Sequence, residues 1–255
     1  MIPVPIQKCI VPVLALVLWE TLGSTGHLPI YLSSPRAILS TLTELITSGE
    51  LWPHLSASVL RVYSGYALGA ALGVVVGLGA GLLPPVRTFF DPLVSFIYPI
   101  PKVAFLPIFL LAFGLGHASK VLPIALSVFF PVFISSRYAV MSVNKTFIWS
   151  AQNMGAPRHI VFLRVILPAA LPYLFSGLRI GLALSFIVLF TGELIGAKSG
   201  LGQVLAKGEE WVRFDIMFSG IVCFAALGFL SDRALMVLRK HMLRGQTIGT
   251  EEQVS

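Results

Sequence analysis

The segment Ser150 to Arg179, SAQNMGAPRHIVFLRVILPAALPYLFSGLR, lies between two long apolar stretches of an otherwise hydrophobic chain. Its charged side chains are basic, with Arg158, Arg164 and Arg179 joined by His159, and it contains no acidic residue. Glycine and proline interrupt it repeatedly. A basic, broken segment of this kind predicts a loop between two apolar stretches, and the nature of those stretches decides the fold.

The composition is that of a membrane protein. Of the 255 residues, 56% are hydrophobic and 11% charged, whereas soluble domains carry about 25% charged residues. A helix that crosses a bilayer needs about 20 mostly apolar residues. Six charge-poor windows of that kind lie at 6–24, 62–83, 92–113, 119–140, 172–195 and 216–238. They lack the alternation of barrel strands, so we predict an all-α, polytopic membrane protein with one domain, residues 1–255.

Two of these windows are irregular. Pro12 and Glu20 interrupt the first. Because Lys8 precedes its apolar run, a secretory signal is the alternative to the spanning helix that we favour. The third contains Pro99, Pro101, Lys102 and Pro107, which predict a broken or kinked helix.

The distribution of basic residues predicts the orientation, because Lys and Arg are retained in cytoplasmic loops. One side of the membrane is predicted to hold Arg87, Lys102, Arg137, Lys145, Arg158, Arg164, Arg179, Arg233, Arg239, Lys240 and Arg244. The other side mixes acids with bases. We therefore predict that both termini and the loop 141–171 are cytoplasmic. The net charge of +7 follows from this topology, with the lipid bilayer and not nucleic acid as the partner.

The second window carries a regular stripe of glycines, which recur every four residues at Gly65, Gly69, Gly73, Gly77 and Gly81. Glycines with this spacing lie along one face of a helix and allow a neighbouring helix to approach at backbone distance. We predict a packing face. Its neighbour is either another helix of the same chain or a helix of a second copy.

Within the loop, the stretch KTFIWSAQNM at 145–154 predicts a short helix on which Phe147, Ala151 and Met154 share a face. Gly155 suits the left-handed conformation at a helix end, and the proline two residues later suits the first turn of a second short helix. Two interpretations remain open. The pair of helices rests on lipid headgroups, or its apolar side chains fit a groove in a soluble partner.

At these residues the sequence resembles the permease subunits of bacterial ATP-binding cassette (ABC) importers. Their cytoplasmic loop carries Glu-Ala-Ala, three residues, glycine, nine residues and Ile-x-Leu-Pro. We take Ser150-Ala151-Gln152 as the triad, followed by Gly155 and, after nine residues, by Val165-Ile166-Leu167-Pro168. Ser150 and Gln152 then replace the glutamate and the second alanine, whereas the glycine and the final Leu-Pro are retained.

Three further stretches are similar to the nitrate, sulfonate and taurine branch of these permeases: LPIFLLAFGLGHASK at 106–120, ILPAALPYLFSGLRIGLALSF at 166–186 and GELIGAKSGLG at 192–202. The resemblance covers roughly residues 30–240 and implies the type I fold of importer permeases. It also implies a coupling helix that sits in a cleft of an ABC ATPase. The residues assigned to this role are Ser150, Ala151, Gln152, Met154, Gly155, Ala156, Leu167 and Pro168.

The resemblance implies the partners as well. ATP and Mg belong to two ABC ATPase subunits, and we expect this chain to bind no cofactor and to catalyse no reaction, since it lacks a GxxxxGK[ST] loop. A second copy is expected to complete a homodimer around the path. An external binding protein delivers the cargo, expected to be a sulfonate, taurine, nitrate or a similar small anion, for import by alternating access.

Charges in or near the predicted spans are candidate functional residues. Glu193, at the outer end of the fifth window, is a candidate for an external gate, and the alternative is a helix-end charge that reaches water or pairs with Lys198. Lys102 is expected to extend its ammonium group to the cytoplasmic interface. Cys9 and Cys223 fall within predicted helices and are expected to be packing residues.

Other functions are less well supported. No pair among His27, His54, His117, His159 and His241 has the spacing of metal ligands, so no metal site is predicted. A secondary transporter driven by an ion gradient usually shows internal repeats and several buried charges, and a membrane enzyme needs convergent catalytic groups. Neither pattern is visible in this sequence.

Overall fold

The computed structural model describes residues 4–26, 29 and 31–243, with side chains from residue 10 onward. Arg244 and His27, and the side chains of Lys8 and Cys9, lie outside this description. All regular secondary structure of the described residues is helical, which confirms the all-α prediction. The helices are α1 Val4–Ser24, α2 Pro35–Thr47, α3 Leu51–Leu82, α4 Pro84–Ile97, α5 Leu106–Phe113, α6 Ala118–Met141, α7 Lys145–Asn153, α8 Arg158–Val161, α9 Leu167–Gly196, α10 Leu201–Glu210 and α11 Phe214–Met242.

Several helices are suited to a membrane. Among the described residues, 4 helical stretches are long and apolar enough to cross one: Leu51–Leu82, Ala118–Met141, Arg158–Gly196 and Phe214–Met242. α4 and the stretch Lys102–Phe113 form a fifth when they are counted together. The apolar part of α1, Ile10–Ser24, is shorter. A helix therefore covers each predicted window, and up to 5 spans meet the requirement for crossing.

The predicted break in the third window is confirmed, because α4 and the stretch Lys102–Phe113 meet at 87°. Pro99 and Pro101 have no N–H group to continue a helix, and a 3₁₀ turn, Lys102–Phe105, leads into α5. Lys102 caps the end of α4. Its ammonium group donates at 2.7 to 2.8 Å to the carbonyl oxygens of Ile97, Tyr98 and Ile100.

The prediction that Lys102 extends to the cytoplasmic interface stays a prediction, but the structure shows which groups its ammonium group binds. The carbonyl groups at the end of a helix have no partners within the helix. At the bend they lie within reach of the ammonium group, so the side chain folds back onto its own backbone.

Two boundaries differ from the predicted windows. α3 begins at Leu51 rather than at 62, and at 1.5 Å per residue it is about 48 Å long, well beyond a bilayer core of about 30 Å. The predicted window left out Arg61 because of its charge, but in the structure that charge is buried in an ion pair. α4 begins at Pro84 rather than at 92, and Asp91, one of its two charged residues, pairs with Arg137 at 2.7 Å.

Two further helices, α2 and α10, were not predicted. Both are amphipathic, and neither contains an apolar window long enough to span a membrane. Ser34 caps the start of α2, since its hydroxyl accepts a hydrogen bond from the backbone of Ala37 at 3.3 Å, and Pro35 occupies the first turn.

The described residues divide into two compact units, one of those up to residue 61 with 190–227 and one of residues 62–189 with those from 228 to 243. In the first unit, polar contacts tie α2 to the start of α11. Thr41 donates to the carboxylate of Asp215 at 2.7 Å, and Ser219 donates to the carbonyl of Ile38 at 3.1 Å.

In the second unit, α6 is the central helix. The glycine stripe of α3 packs on one face of it. Gly177 and Gly181 of α9 lie against Ser135 and Val128 of the same helix. Small residues on both neighbours therefore bring two helix backbones close to α6.

Candidate functional site

The loop between α6 and α9 begins with α7, which has a defined start and end. The side chain of Asn144 accepts a hydrogen bond from the backbone of Thr146 at 2.9 Å and caps the first turn. At the other end Gly155 has a φ of +81°, the left-handed conformation that its position predicts. The backbone N–H of Gly155 donates to Gln152 at 2.9 Å, and that of Ala156 donates to Ala151 at 3.0 Å. These two bonds satisfy carbonyls at the helix end and fix the bend.

The return from the bend differs from the prediction of a second, separate short helix. Pro157 precedes α8 in an extended conformation rather than lying in its first turn. α8 then continues through a π turn, Phe162–Ile166, into α9, so that Arg158–Gly196 is one helical stretch of 39 residues. The predicted fifth span, 172–195, therefore lies within a longer helical stretch that begins earlier.

A physical reason for the π turn is Pro168, which follows it directly. Proline lacks an N–H donor, and its ring presses on the carbonyl of the residue four positions earlier. In the wider turn, the N–H of Leu167 donates instead to Phe162, five residues back. The helix therefore passes through Pro168 without ending.

The inner side of the loop is anchored to the second unit by a small hydrophobic core. Its buried members are Val140, Val143, Val161 and Ile166. Ile148, Ala151, Ala156, Phe162 and Val165 pack against them, together with Leu78 of α3. α7 and the bend are thus held against the ends of the membrane helices.

The outer side of α7 and the bend presents apolar side chains to solvent. Met154, at the bend, is 87% exposed. Phe147, Trp149 and Leu163 are each more than half exposed. We call Phe147, Trp149 and Met154 the outer apolar surface. Three large apolar side chains exposed within one short segment are suited to docking on a partner.

The predicted sharing of one face by Phe147, Ala151 and Met154 is only partly correct. Phe147 and Met154 point outward, but Ala151 packs into the core beneath the loop. The hydrogen bond from Ala156 to Ala151 draws the chain after the bend onto this alanine and covers it.

The assignment of the motif triad also needs a correction. The pattern leaves three residues between the second alanine and the glycine, but only Asn153 and Met154 lie between Gln152 and Gly155. Keeping the spacing moves the triad back by one, so that Trp149 and Ser150 replace its first two members and Ala151 retains the third. In this register the retained alanine is Ala151, which is partly buried against the core beneath the loop.

A groove of about 760 Å³ runs beside α7. It is lined by Phe147, Ser150, Arg164, Val165, Pro168, Ala169, Pro172, Tyr173, Ser176 and Arg239. The structure thus brings together Ser150 and Pro168 of the predicted coupling residues. Leu167 instead packs in a neighbouring cluster with Ala139, Ala170 and Leu174.

The glycine stripe lies along α6 of the same chain. A Cβ atom on Gly65 would stand 2.6 Å from the side chain of Ile124, and one on Gly81 would stand 2.6 Å from Val140. Those on Gly69, Gly73 and Gly77 meet Ala125, Val132 and Phe133 in the same way. No side chain fits at such distances without displacing the neighbour.

Glu193 lies in the first unit and is fully buried. Its carboxylate accepts hydrogen bonds from Arg61 at 2.7 Å, from the hydroxyl of Ser58 at 2.8 Å and from the backbone of Gly202 at 3.0 Å. The expectation that it reaches water or pairs with Lys198 is therefore wrong. Sequence reasoning missed its partner because Arg61 is far away in the chain and was placed in a loop.

Arg61 also orders the turn that follows α9. It donates to the backbone carbonyl of Ser199 at 2.6 Å. The hydroxyl of Ser58 accepts from the backbone of Leu201 at 2.8 Å, and His54 accepts from the backbone of Gly200 at 3.1 Å. α3 thereby holds the turn in place through side chains on one of its faces.

Comparison with solved structures shows which class this architecture represents. A chain of the MetNI methionine ABC transporter, crystallised in inward-facing conformations, aligns with a TM-score of 0.56 at 20% identity, over 75% of this chain and 94% of that one. A chain of an amino acid ABC transporter with histidines aligns with a TM-score of 0.56 at 17% identity, over 78% and 97%. The fold is the type I fold of ABC importer permeases.

Sequence comparison then gives the family. The chain belongs to the binding-protein-dependent transport system inner membrane components, whose family pattern matches residues 69–244. One relative is the putative aliphatic sulfonates transport permease protein SsuC of Bacillus subtilis. It is 34% identical over 92% of this chain and 86% of its own length. The taurine transport system permease protein TauC of Escherichia coli is 35% identical over 89% and 85%. The chain is thus a multi-pass membrane permease subunit of an ABC importer, and its family works with ATPase and binding-protein partners.

Proposed function

We propose that this permease imports a small sulfonate, and that α7 and the bend at Gly155 couple it to an ABC ATPase. The cargo is inferred from SsuC and TauC, whose names concern aliphatic sulfonates and taurine. The coupling role rests above all on the outer apolar surface, which stands out from a segment anchored by its own core.

A coupling element has to transmit force. The hydrogen bonds at Gly155 and Ala156 fix the angle of the bend, and the core under the loop joins it to α3 and α6. Because α8 continues into α9, a push on the bend acts directly on a spanning helix. Movement of an ATPase bound at the outer apolar surface would therefore tilt α9.

The proposal also includes the partner subunits and the orientation in the membrane. Two ATPase subunits bind ATP and Mg, and this chain binds neither. Two copies of the permease enclose the path, since up to 5 spans are too few to enclose one comfortably. Both termini and the loop 141–171 face the cytoplasm, with the external binding protein on the opposite side.

The proposal is tested by weakening the outer apolar surface without disturbing the core beneath it. Met154→Ser and Trp149→Ser alter exposed side chains, so the permease is expected to fold normally but to lose co-purification with the ATPase. Stimulation of ATP hydrolysis by the loaded binding protein should fall in the same two variants. Trp211→Ser, at a similarly exposed tryptophan in the first unit, is the matched control and should leave both unchanged.

The alternative is that the loop rests on lipid headgroups. In that case Met154→Ser and Trp149→Ser would leave the ATPase bound and fully stimulated. That result would remove the coupling role from this segment.

A further inference from the structure

A cavity of about 320 Å³ lies in the second unit, beside the bend between α4 and α5. Residues 98–103 of the bend form one side of it, Ser127 and Phe130 of α6 a second side, and Leu184, Ile187 and Val188 of α9 a third. Cavities of a few hundred Å³ with mostly apolar walls and a few polar groups are typical of small-molecule sites.

The wall of this cavity carries a positive charge. The ammonium group of Lys102 donates its three N–H groups to three backbone carbonyls. Its nitrogen stands 4.5 Å from the centre of the Phe130 ring, another wall residue. The carbonyl dipoles at the end of α4 offset part of this charge, but the lining residues include no Asp or Glu, so a net positive charge remains and an anion is favoured over a cation.

Ser127 contributes a buried hydroxyl group to this cavity. It is 3% exposed, and its oxygen has no hydrogen-bond partner among the described residues. Burial of an unpaired hydroxyl is unfavourable, and a ligand oxygen that accepts its hydrogen bond removes that penalty. A serine hydroxyl reaches such an acceptor by rotation about a single bond.

The α9 side of the cavity is apolar, because Leu184, Ile187 and Val188 line it. A ligand that fits both walls has a compact anionic head and a short hydrocarbon tail, which is the chemistry of an alkanesulfonate.

We propose that this cavity is a binding site for an alkanesulfonate within the membrane part of the permease. The charge of Lys102 attracts the sulfonate group, Ser127 donates a hydrogen bond to one of its oxygens, and the alkyl group packs against Leu184 and Val188. Because the wall contains no carboxylate, the ammonium group of taurine finds no partner there. The site therefore prefers an alkanesulfonate to taurine. This inference rests on the function proposed above.

The test uses the intact complex of permease and ATPase in lipid nanodiscs, without the binding protein, and radiolabelled ethanesulfonate as the probe. Wild type should bind it saturably, with taurine competing about tenfold more weakly. Ser127→Ala should weaken binding by about tenfold, the effect of one hydrogen bond to a charged group. Ser127→Phe fills the cavity and should abolish binding, with gel filtration of the complex as the check on its folding.

Ser136→Ala is the matched control. Ser136 lies on the same helix, is fully buried and likewise has no hydrogen-bond partner among the described residues, but it does not line the cavity. This variant should bind ethanesulfonate as wild type does.

Stimulation of ATP hydrolysis by the loaded binding protein is measured on the same samples. A wild-type complex that is stimulated but binds no ethanesulfonate would overturn the site and leave the proposed function standing. Equal binding by wild type, Ser127→Ala and Ser127→Phe would also overturn the site and leave the proposed function standing. A wild-type complex that is neither stimulated nor active in sulfonate uptake would instead refute the proposed function, and the site with it.

Discussion

Arg61 and Glu193 form an ion pair of 2.7 Å in which the side chains are only 3% and 0% exposed. Burial of two charges is costly and is offset only by their mutual attraction and by further hydrogen bonds. The pair has both, since Ser58 and the backbone of Gly202 also donate to the carboxylate. The pair joins α3 to the end of α9 and to the turn that follows it, and it needs both partners.

Glu193→Gln is therefore expected to destabilise the protein strongly. It leaves the Arg61 guanidinium buried beside a neutral amide, a change that typically costs about 3–5 kcal/mol. The measurement is the temperature of thermal unfolding in detergent, together with the yield of folded protein. Lys198→Gln removes the partner that the sequence offered instead and is the control, so an equal loss in that variant would contradict the Arg61 pairing.

Gly73→Ala is expected to disturb the packing of α3 on α6. Its Cβ atom would stand 2.8 Å from the Cβ of Val132, and overpacking of this kind typically costs about 1–3 kcal/mol. Gly73→Leu should be worse. Gly79→Ala, on the same helix, is the control, because its Cβ meets nothing closer than 3.7 Å. The measurement is the unfolding temperature of the two alanine variants. If they were equally stable, the stripe would not be a packing face.

Gly155→Val is expected to uncouple transport from ATP hydrolysis while the spans remain inserted. Valine resists the φ of +81° because of its branched side chain, although nothing lies within 4 Å of a Cβ atom there. Gly155→Asn should retain more activity, since asparagine tolerates this conformation better. The measurements are ATPase co-purification, uptake and stimulated ATP hydrolysis in reconstituted vesicles.

Single changes of Arg158 or Arg164 to glutamine serve as comparisons for Gly155→Val. Both side chains are exposed, and each is one basic group among several, so a small effect is expected. Full coupling in Gly155→Val, with loss of activity in the arginine variants, would indicate a lipid-facing surface.

The orientation predicts the labelling of two engineered cysteines in intact cells, in a background without Cys9 and Cys223. Glu50→Cys should react with an impermeant maleimide from outside, whereas Asn144→Cys should react only after the cells are opened. Both positions are exposed, so burial does not hide either of them. Strong external labelling at Asn144→Cys would reverse the topology.

Short stretches of the sequence were enough to predict the spanning helices and two of the bends. Apolar windows predicted the positions of the spanning helices, because crossing a bilayer requires length and hydrophobicity within one segment. The prolines near Lys102 predicted the break in the third span, and Gly155 predicted the bend after α7. Each of these depends on the backbone preferences of a few neighbouring residues, which the sequence displays directly.

Tertiary structure alone decided which distant residues meet. The partner of Glu193 is Arg61, 132 residues earlier in the chain, and the neighbour of the glycine stripe is α6 of the same chain. Periodicity put Phe147, Ala151 and Met154 on one face, but packing after the bend turned Ala151 inward and left Met154 outside. Lys102 likewise has an acceptor at the end of α4, on the other side of the bend. Such pairings depend on long-range packing and on the burial of charge, which no local pattern records.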